Sequence, residues 1–193
     1  TTSWPLPIEA REILQESNPC PFTAADIDER LIGTTDFMPH SAIVCLFPYH
    51  MPHEGPTNLS RYTWATDYHL VVTDYLQRLV DELKTTAPDA SFSIHCDTSP
   101  LADRYMAYLA GLGFYGKNKC FINPTWGSYI VIGTVLTTLE FESNTPMTDT
   151  CMGCNRCITS CLGQCLDGNA FNYATCKSYL TQKKGDLTDD EQA

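Results

Sequence analysis

The sequence of 193 residues lacks a long hydrophobic run. Its longest apolar stretch, YIVIGTVLTTL at 129–139, is about half of the roughly 20 residues that a membrane-spanning helix needs. Its many β-branched residues favour a buried strand instead. A secretory signal sequence is not recognisable either. We therefore expect a cytoplasmic protein without a membrane span, in a reducing compartment that disfavours a disulfide framework.

Basic residues are scarce. The chain has 12 Lys and Arg against 23 Asp and Glu, which gives a formal net charge of −11. A general nucleic-acid binder normally carries an excess of basic residues, so this balance argues against that class. Internal repeats and low-complexity segments are also missing. Because 43% of the residues are hydrophobic, the chain can bury a core without help from disulfides.

Apolar residues follow helical and strand patterns in alternation over the first three quarters of the chain, which indicates a mixed α/β sandwich. Around SNTPMTD (143–149) the apolar periodicity stops, which predicts a first domain over 1–145 and a small module over 146–193. The predicted strands are 41–47, 91–96, KCFIN at 119–123 and 129–139, and the predicted helices are 8–16, 67–84 and 100–113.

Five cysteines occur within the 15 residues CMGCNRCITSCLGQC. The spacing Cys151-x2-Cys154-x2-Cys157-x3-Cys161 matches the bacterial ferredoxin run, in which three thiolates bind one 4Fe-4S cluster and the fourth binds a neighbouring cluster. Cys176 is a candidate ligand for that second cluster. Zinc sites usually pair CxxC units a dozen or more residues apart, so zinc is the weaker alternative. Disulfides or free thiols are the third.

The cysteine run departs from the ferredoxin pattern in two ways. Leu162 stands where that run normally has proline, and Cys165 is an additional thiol. We expect a short helix to begin near Asn155 and to direct Cys161 away from the first three sulfurs. The remaining cysteines occur in unrelated contexts and are predicted to be core thiols: Cys20, Cys45, Cys96 and Cys120.

Four motifs follow one another along the chain: RYTWATDYH (61–69), CDTSPLADR (96–104), AGLGFYGKNKCFINPTWGSY (110–129) and the cysteine run. Together they resemble the epoxyqueuosine reductases, the cobalamin-dependent iron–sulfur enzymes of tRNA queuosine biosynthesis, which are related to the reductive dehalogenases. The similarity extends over about residues 30–185. It implies an α+β protein with a nitroreductase-like α/β sandwich that binds cobalamin, followed by a small ferredoxin-like module with two 4Fe-4S clusters.

The resemblance also implies roles for single residues. Asp97 would be the proton donor above the cobalt. Family members carry three more cysteines downstream and a helical-repeat platform for tRNA, so we expect the second cluster to be incomplete within this chain. The implied first-cluster ligands are Cys151, Cys154 and Cys157, the second-cluster ligands are Cys161 and Cys176, and the implied cobalamin-binding residues are Arg30, Ser60, Arg61, Tyr68, His69, Arg104, Lys117, Asn118, Phe121 and Asn123.

Reducing an epoxide to an alkene requires two electrons at carbon and a proton for the departing oxygen. Low-potential clusters deliver electrons one at a time, and cobalamin can combine them. Asp97 follows a predicted buried strand, where burial would raise the pKa of a carboxyl group and keep its proton available. The alternative is that Asp97 caps the helix that starts near residue 100.

Several other candidates also have a purely structural alternative. Asp103 and Arg104 would form an exposed pair in the first turn of a helix. Lys117 and Asn118 would form a polar turn, and His69 would pack on its helix. The resemblance favours the functional interpretation for Lys117 and Asn118, whereas both interpretations stay open for Asp103, Arg104 and His69.

The sequence therefore predicts an oxidoreductase that converts epoxyqueuosine in tRNA to queuosine, with an electron donor of unknown identity. The alternative function is an iron–sulfur or corrinoid electron-transfer or binding protein that does not act on tRNA, which the acidic charge favours.

Overall fold

A computed structural model of the protein describes residues 2–3, 35–50, 59–167 and 170–189. The chain divides into two compact units, of which the first comprises Thr1–Gly113 and Asn123–Thr148 and the second comprises Phe114–Ile122 and Asp149–Ala193. The predicted helix at 8–16 and Arg30 lie outside the described residues. The domain limits predicted at residues 145 and 146 remain a prediction.

The described elements alternate between strands and helices. Short 3₁₀ turns occur at Arg61–Trp64 and Tyr173–Thr175. In chain order the strands are β1 (Thr2–Ser3), β2 (Ser41–Pro48), β3 (Phe92–Cys96), β4 (Phe114–Tyr115), β5 (Phe121–Ile122) and β6 (Ile130–Thr137), and the helices are α1 (Tyr68–Thr86), α2 (Asp103–Leu109), α3 (Arg156–Thr159) and α4 (Lys177–Leu180).

Four strands of the first unit form one sheet in the order β1-β2-β6-β3, with each neighbouring pair antiparallel. Along β6, Ile130 pairs with Pro48 of β2 and Gly133 pairs with Cys96 of β3. β2 and β3 therefore run in the same direction on either side of β6. Their carboxyl ends lie at the end of the sheet where β6 begins.

The predicted strands at 41–47, 91–96 and 129–139 are confirmed as β2, β3 and β6, and the predicted helix at 67–84 is confirmed as α1. β5 is shorter than the predicted strand KCFIN. α2 is also shorter than the predicted helix at 100–113. The helix stops before Gly111, which has a positive φ of 71° and whose added Cβ would lie 2.5 Å from the carbonyl oxygen of Thr145. None of the helices in the described ranges is long and apolar enough to cross a bilayer.

Helix α1 buries one apolar side against the sheet. Its buried residues Val72, Leu76 and Val80 recur every four positions, as one face of a helix requires, and they cluster with Cys96 and Val135 of the sheet. Burying each large apolar side chain contributes roughly 1.5–3 kcal/mol. The first unit is therefore organised around the α1–sheet interface.

Helix α2 packs on the opposite face of the same sheet. Thr134 of β6 donates a hydrogen bond to the Asp103 carboxylate at 3.1 Å, and its neighbour Val135 faces α1. Successive residues of a strand point to opposite faces, so α1 and α2 cover the two faces of the sheet. Tyr105, Met106 and Ala107 are the buried residues of α2. The predicted mixed α/β architecture is confirmed.

Gly133 permits the close approach of α1 to β6. A Cβ at this position would lie 2.6 Å from Val72 Cγ1 and 2.9 Å from Leu76 Cδ1. We expect Gly133→Ala to lower the free energy of unfolding by about 1–3 kcal/mol because it overpacks the core. Urea denaturation measures this change. In a Val72→Ala background the same substitution should cost less, and equal costs in the two backgrounds would contradict the contact.

His95 gives the first unit a pH-dependent stability. Only 5% of this residue is exposed, and burial lowers the pKa of its imidazole from the ordinary value. The unfolded chain therefore takes up the proton more readily, so the free energy of unfolding should fall as the pH decreases below about 6.5. Urea denaturation at pH 7.5 and at pH 5.5 measures this effect. We expect the free energy of unfolding to fall less between these pH values in His95→Gln than in the wild type. An equal fall in the wild type and in His95→Gln would rule out His95 as the source of the pH-dependent stability.

Candidate active site and cysteine groups

The candidate active site lies at the end of the sheet where β2 and β3 finish and β6 begins. The amino end of α1 reaches the same place, because Tyr68 contacts the residue that directly follows β3. Three strand ends and one helix start thus bring together residues from the motifs RYTWATDYH and CDTSPLADR.

Asp97 directly follows β3 and adopts a positive φ of 60°. Asp and Asn adopt this left-handed conformation more readily than other residues with a side chain. The Tyr68 hydroxyl donates a hydrogen bond to Asp97 Oδ2, and His69 Nε2 lies 3.3 Å from the same oxygen. The side chain of Asp97 is 55% exposed, so the strand end does not bury it as predicted, and its carboxylate is accessible to a ligand.

The interpretation of Asp97 as a helix cap is wrong. The residue at the N-cap position of α2 is Ala102, and no side chain caps the helix there. The pKa of Tyr68 lies well above its ordinary value, first because its hydroxyl is bonded to Asp97 and second because of burial. Tyr68 therefore stays protonated and keeps donating to Asp97.

Asp67 is a site residue that the motif analysis did not single out. Its carboxylate accepts from the backbone N–H of His69 at 2.9 Å and from His69 Nδ1 at 2.8 Å. These two bonds lower the pKa of Asp67 below its ordinary value. An Asp at the first position of the predicted helix 67–84 was the available signal, because this residue type favours the N-cap.

A group of aromatic rings extends from Tyr68, which contacts Asp97. The ring centroids of Tyr62 and Tyr68 are 5.8 Å apart, those of Tyr49 and Tyr62 are 6.2 Å apart, and those of Tyr49 and Tyr129 are 5.8 Å apart, all edge to face. We call these four residues the aromatic cluster. Tyr62 is 43% exposed and Tyr129 is 37% exposed, so part of the cluster faces solvent.

Arg61 and Ser60 lie in the turn beside the aromatic cluster. The Arg61 guanidinium carbon lies 5.6 Å from the ring centroid of Tyr129, and Nη1 lies 3.2 Å from His50 Nε2. Ser60 is exposed, and its carbonyl oxygen accepts from the backbone N–H and the hydroxyl of Thr63. Of the predicted residues in this motif, Tyr68 and His69 contact Asp97, whereas Arg61 contacts the aromatic cluster.

The pair Asp103–Arg104 divides into one half-buried and one exposed residue of α2. Burial raises the pKa of Asp103, although hydrogen bonds from Ser99 and Thr134 oppose that effect. The interpretation of both residues as an exposed pair is therefore wrong for Asp103, which joins α2 to the sheet.

The predicted cobalamin-binding loop is shared between the two units. Lys117, Asn118 and Phe121 belong to the second unit, whereas Asn123 belongs to the first. Asn118 Oδ1 accepts from the N–H of Cys120. Asn123 bonds to the backbone of three residues: its side chain accepts from the N–H groups of Thr125 and Trp126 and donates to the carbonyl of Leu112. Both amides thus stabilise local turns, and Phe121 is buried.

The second unit places the β4–β5 hairpin against the cysteine run. Lys117 Nζ donates to Asn155 Oδ1 at 2.9 Å. The backbone N–H groups of Lys117 and Gly153 bond to the sulfur of Cys151 and lower the pKa of its thiol. The predicted short helix near Asn155 is confirmed as α3, which starts at Arg156.

A second group of thiols forms around Cys165. Its Sγ lies 3.3 Å from Cys161 Sγ and also bonds to the thiol of Cys176. Burial is the main cause that raises the pKa of Cys165 to about 12, and its hydrogen bond lowers the pKa of Cys161. The backbone at Gly163 packs closely against the backbone at Thr175, because a Cβ on Gly163 would collide with the carbonyl oxygen of Thr175.

The cysteine side chains match iron–sulfur clusters in their chemistry. Cys151 shows amide-to-sulfur hydrogen bonds of the kind that tune cluster thiolates. In the part of the chain that the structure describes, no three His, Cys, Asp or Glu side chains are arranged to hold a metal ion. The assignment of Cys151, Cys154, Cys157, Cys161 and Cys176 as ligands therefore stays a prediction.

Comparison with known proteins connects this architecture to one family. The family described as "Epoxyqueuosine reductase QueG, DUF1730" matches residues 37–98. The epoxyqueuosine reductase of Bacillus cereus is 38% identical over 131 residues, which cover 67% of this chain and 34% of that protein. The Bacillus subtilis enzyme is 37% identical over the same length. The chain thus spans about a third of the length of these relatives.

Solved structures agree with the sequence comparison. An epoxyqueuosine reductase crystallised with an epoxyqueuosine-modified tRNA-Tyr stem loop superposes with a TM-score of 0.74 at 30% identity, covering 98% of this chain and 54% of that one. The Bacillus subtilis enzyme, in a structure with its catalytic aspartate loop swung out of the active site, gives a TM-score of 0.69 over 95% of this chain and 52% of that one.

Proposed function

The chain is related to the epoxyqueuosine reductases, as its motifs predict, and from this premise we propose that it acts as an oxidoreductase that converts epoxyqueuosine in tRNA to queuosine. One observation carries the proposal. A half-exposed carboxylate, Asp97, is held by Tyr68 and His69 at a sheet end beside exposed aromatic rings.

Asp97 is the proton donor in this proposal. The departing epoxide oxygen needs one proton, and a positioned side chain that supplies it typically contributes about 10²–10⁴ to the rate. Tyr68 and His69 orient the acid from two directions. The Bacillus subtilis structure supports this role because its catalytic aspartate also lies on a loop.

Cobalamin is the proposed cofactor beside Asp97. When bound, cobalamin and the 4Fe-4S clusters would supply the two electrons. The aromatic cluster supports this placement, because it is partly exposed and Tyr68 connects it to Asp97. Ser60, Arg61, Tyr68 and His69 would line this ligand. The cobalamin-binding roles of Arg30, Arg104, Lys117, Asn118, Phe121 and Asn123 remain predictions.

The proposed electron path begins at the cysteines of the second unit. Cys151, Cys154 and Cys157 would bind the first 4Fe-4S cluster, and Cys161 and Cys176 would bind the second. The nitroreductase-like sandwich and the ferredoxin-like module belong to the same proposal, with the limits 1–145 and 146–193. An external electron donor completes it.

A substrate tRNA is proposed because a related reductase binds an epoxyqueuosine-modified stem loop. The second candidate is an iron–sulfur or corrinoid electron-transfer or binding protein that does not act on tRNA. The net charge of −11 favours this alternative, because phosphate binding usually requires basic residues.

Anaerobic reconstitution distinguishes the two candidates. The full-length protein is incubated with cobalamin, a low-potential reductant and tRNA that contains epoxyqueuosine, and the nucleosides are analysed by mass spectrometry. We expect conversion to queuosine. If the protein binds cobalamin and iron–sulfur clusters but forms no queuosine, the reductase proposal is wrong and the alternative is preferred.

A further inference from the structure

His69 lies between two carboxylates. Its Nδ1 is 2.8 Å from Asp67 Oδ1, and its Nε2 is 3.3 Å from Asp97 Oδ2. The ring stacks on Tyr68 with a centroid distance of 4.1 Å. Asp67 is itself fixed, because it also accepts from the backbone N–H of His69 at the start of α1. The helix start thus determines which ring nitrogen faces Asp97.

This orientation selects a tautomer of the imidazole. Both carboxylates accept when ionised, and the shorter contact, 2.8 Å to Asp67 against 3.3 Å to Asp97, favours a neutral ring with its proton on Nδ1 and the lone pair of Nε2 towards Asp97. The protonated ring carries a hydrogen towards each carboxylate. Because 52% of the His69 side chain is exposed, water can deliver the additional proton.

We propose that His69, positioned by Asp67, returns a proton to Asp97 after each turnover, a role that rests on the proposed reductase function. Asp97 gives its proton to the departing oxygen and becomes a carboxylate. The Nε2–H bond of the imidazolium then breaks as an O–H bond forms on Asp97 Oδ2. The ring is left neutral with its proton on Nδ1, and a solvent proton restores Nε2–H. Asp67 remains ionised throughout.

The neighbouring ionisable groups are poor substitutes for His69. Around His69 and Asp97 lie Asp67 and Tyr68 at the start of α1, Tyr62 in the 3₁₀ turn, Cys96 at the end of β3 and Asp103 on α2. The pKa of Tyr68 is raised well above its ordinary value, and that of Cys96 is raised to about 11. Both groups therefore keep their protons near neutral pH.

Kinetics of the reconstituted full-length protein test the proton supply. We expect His69→Gln, which donates hydrogen bonds but cannot transfer a proton, to lower kcat at least about tenfold. KM should stay unchanged, and the absorbance change on cobalamin binding should persist because Gln keeps a polar side chain at this corrin-lining position, which separates proton supply from corrin binding. Added imidazole should restore turnover in His69→Ala. Wild-type turnover in His69→Gln, or no rescue by imidazole, would overturn the proposal.

His40 provides a matched control. Its Nδ1 lies 3.2 Å from Glu140 Oε1, so it is also an exposed histidine beside a carboxylate. It precedes β2, at the opposite end of the sheet from Asp97. We expect His40→Gln to keep wild-type turnover. An equal loss in both variants would show that the effect of His69→Gln is not specific, and the proposal would fall.

NMR on the isotope-labelled chain tests the Asp67–His69 interaction without measuring activity. ¹⁵N NMR of the histidine rings above their titration should show the Nδ1–H tautomer for His69. Asp67→Ser retains a favourable N-cap residue but removes the carboxylate, and it should shift the ring towards the Nε2–H tautomer. An Nε2–H tautomer in the wild type would refute the inference. If the tautomers are as expected but no queuosine forms, only the proposed function fails.

Discussion

Asp97→Asn is expected to reduce turnover by about 10²–10⁴ while the fold and the cofactor content stay the same. Asn also adopts the left-handed backbone that this position requires, with φ of 60°. Its amide oxygen can still accept from Tyr68, but it has no carboxyl proton to give to the departing oxygen. Single-turnover formation of queuosine, measured by nucleoside mass spectrometry, determines the loss.

Two further variants separate chemistry from structure. Asp97→Gly tolerates the positive φ and removes the whole side chain, so it should lose at least as much turnover as Asp97→Asn. Asp89→Asn alters an exposed carboxylate before β3 and should behave like the wild type. If the activity of Asp97→Asn falls only in proportion to the folded fraction measured by circular dichroism, Asp97 has a structural role and no catalytic one.

The strands and the long helix could be predicted because their apolar residues follow simple periods. The helix was predicted from the spacing of Leu70, Val71, Tyr75, Leu79, Val80 and Leu83, but its buried face was not, because Leu70, Val71 and Tyr75 are exposed and Val72, Leu76 and Val80 face the sheet. The run at 129–139 is apolar enough for a strand covered on both faces. The pairing of β2 and β3 with β6 depends on tertiary packing. No local pattern in the sequence specifies it.

The candidate site was predictable only in part, because it also depends on contacts between residues that are far apart in the sequence. Motif recognition supplied Tyr68, His69 and Asp97, but the Tyr68–Asp97 hydrogen bond joins residues 29 positions apart. Neither the left-handed backbone of Asp97 nor the bond from Asp67 to the His69 ring follows from residue spacing. Spacing likewise predicts where a short helix follows Cys154, yet it cannot show that Cys165 contacts Cys161.

Anaerobically purified full-length protein is expected to contain about eight irons and a matching amount of sulfide, as two 4Fe-4S clusters require. Cys157→Ala should reduce the iron content by about half, because the first cluster loses one of the three thiolates that this short run supplies. Cys120 is exposed, so the prediction that it is a core thiol is wrong, and Cys120→Ser, which lies outside the cysteine run, should leave the iron content unchanged. Colorimetric iron and sulfide assays, combined with electron paramagnetic resonance after reduction, measure both effects.

Zinc is the competing outcome, although no three His, Cys, Asp or Glu side chains among the described residues are arranged to hold a metal ion. Zn–S bonds of about 2.3 Å place the sulfurs of a tetrahedral site about 3.8 Å apart. The sulfurs of Cys161 and Cys165 lie closer than that, at 3.3 Å, as a hydrogen-bonded pair of thiols does. Metal analysis must count zinc and sulfide in the same sample. One equivalent of zinc without sulfide would remove the electron path, and the proposed reduction of epoxyqueuosine would then lack its source of electrons.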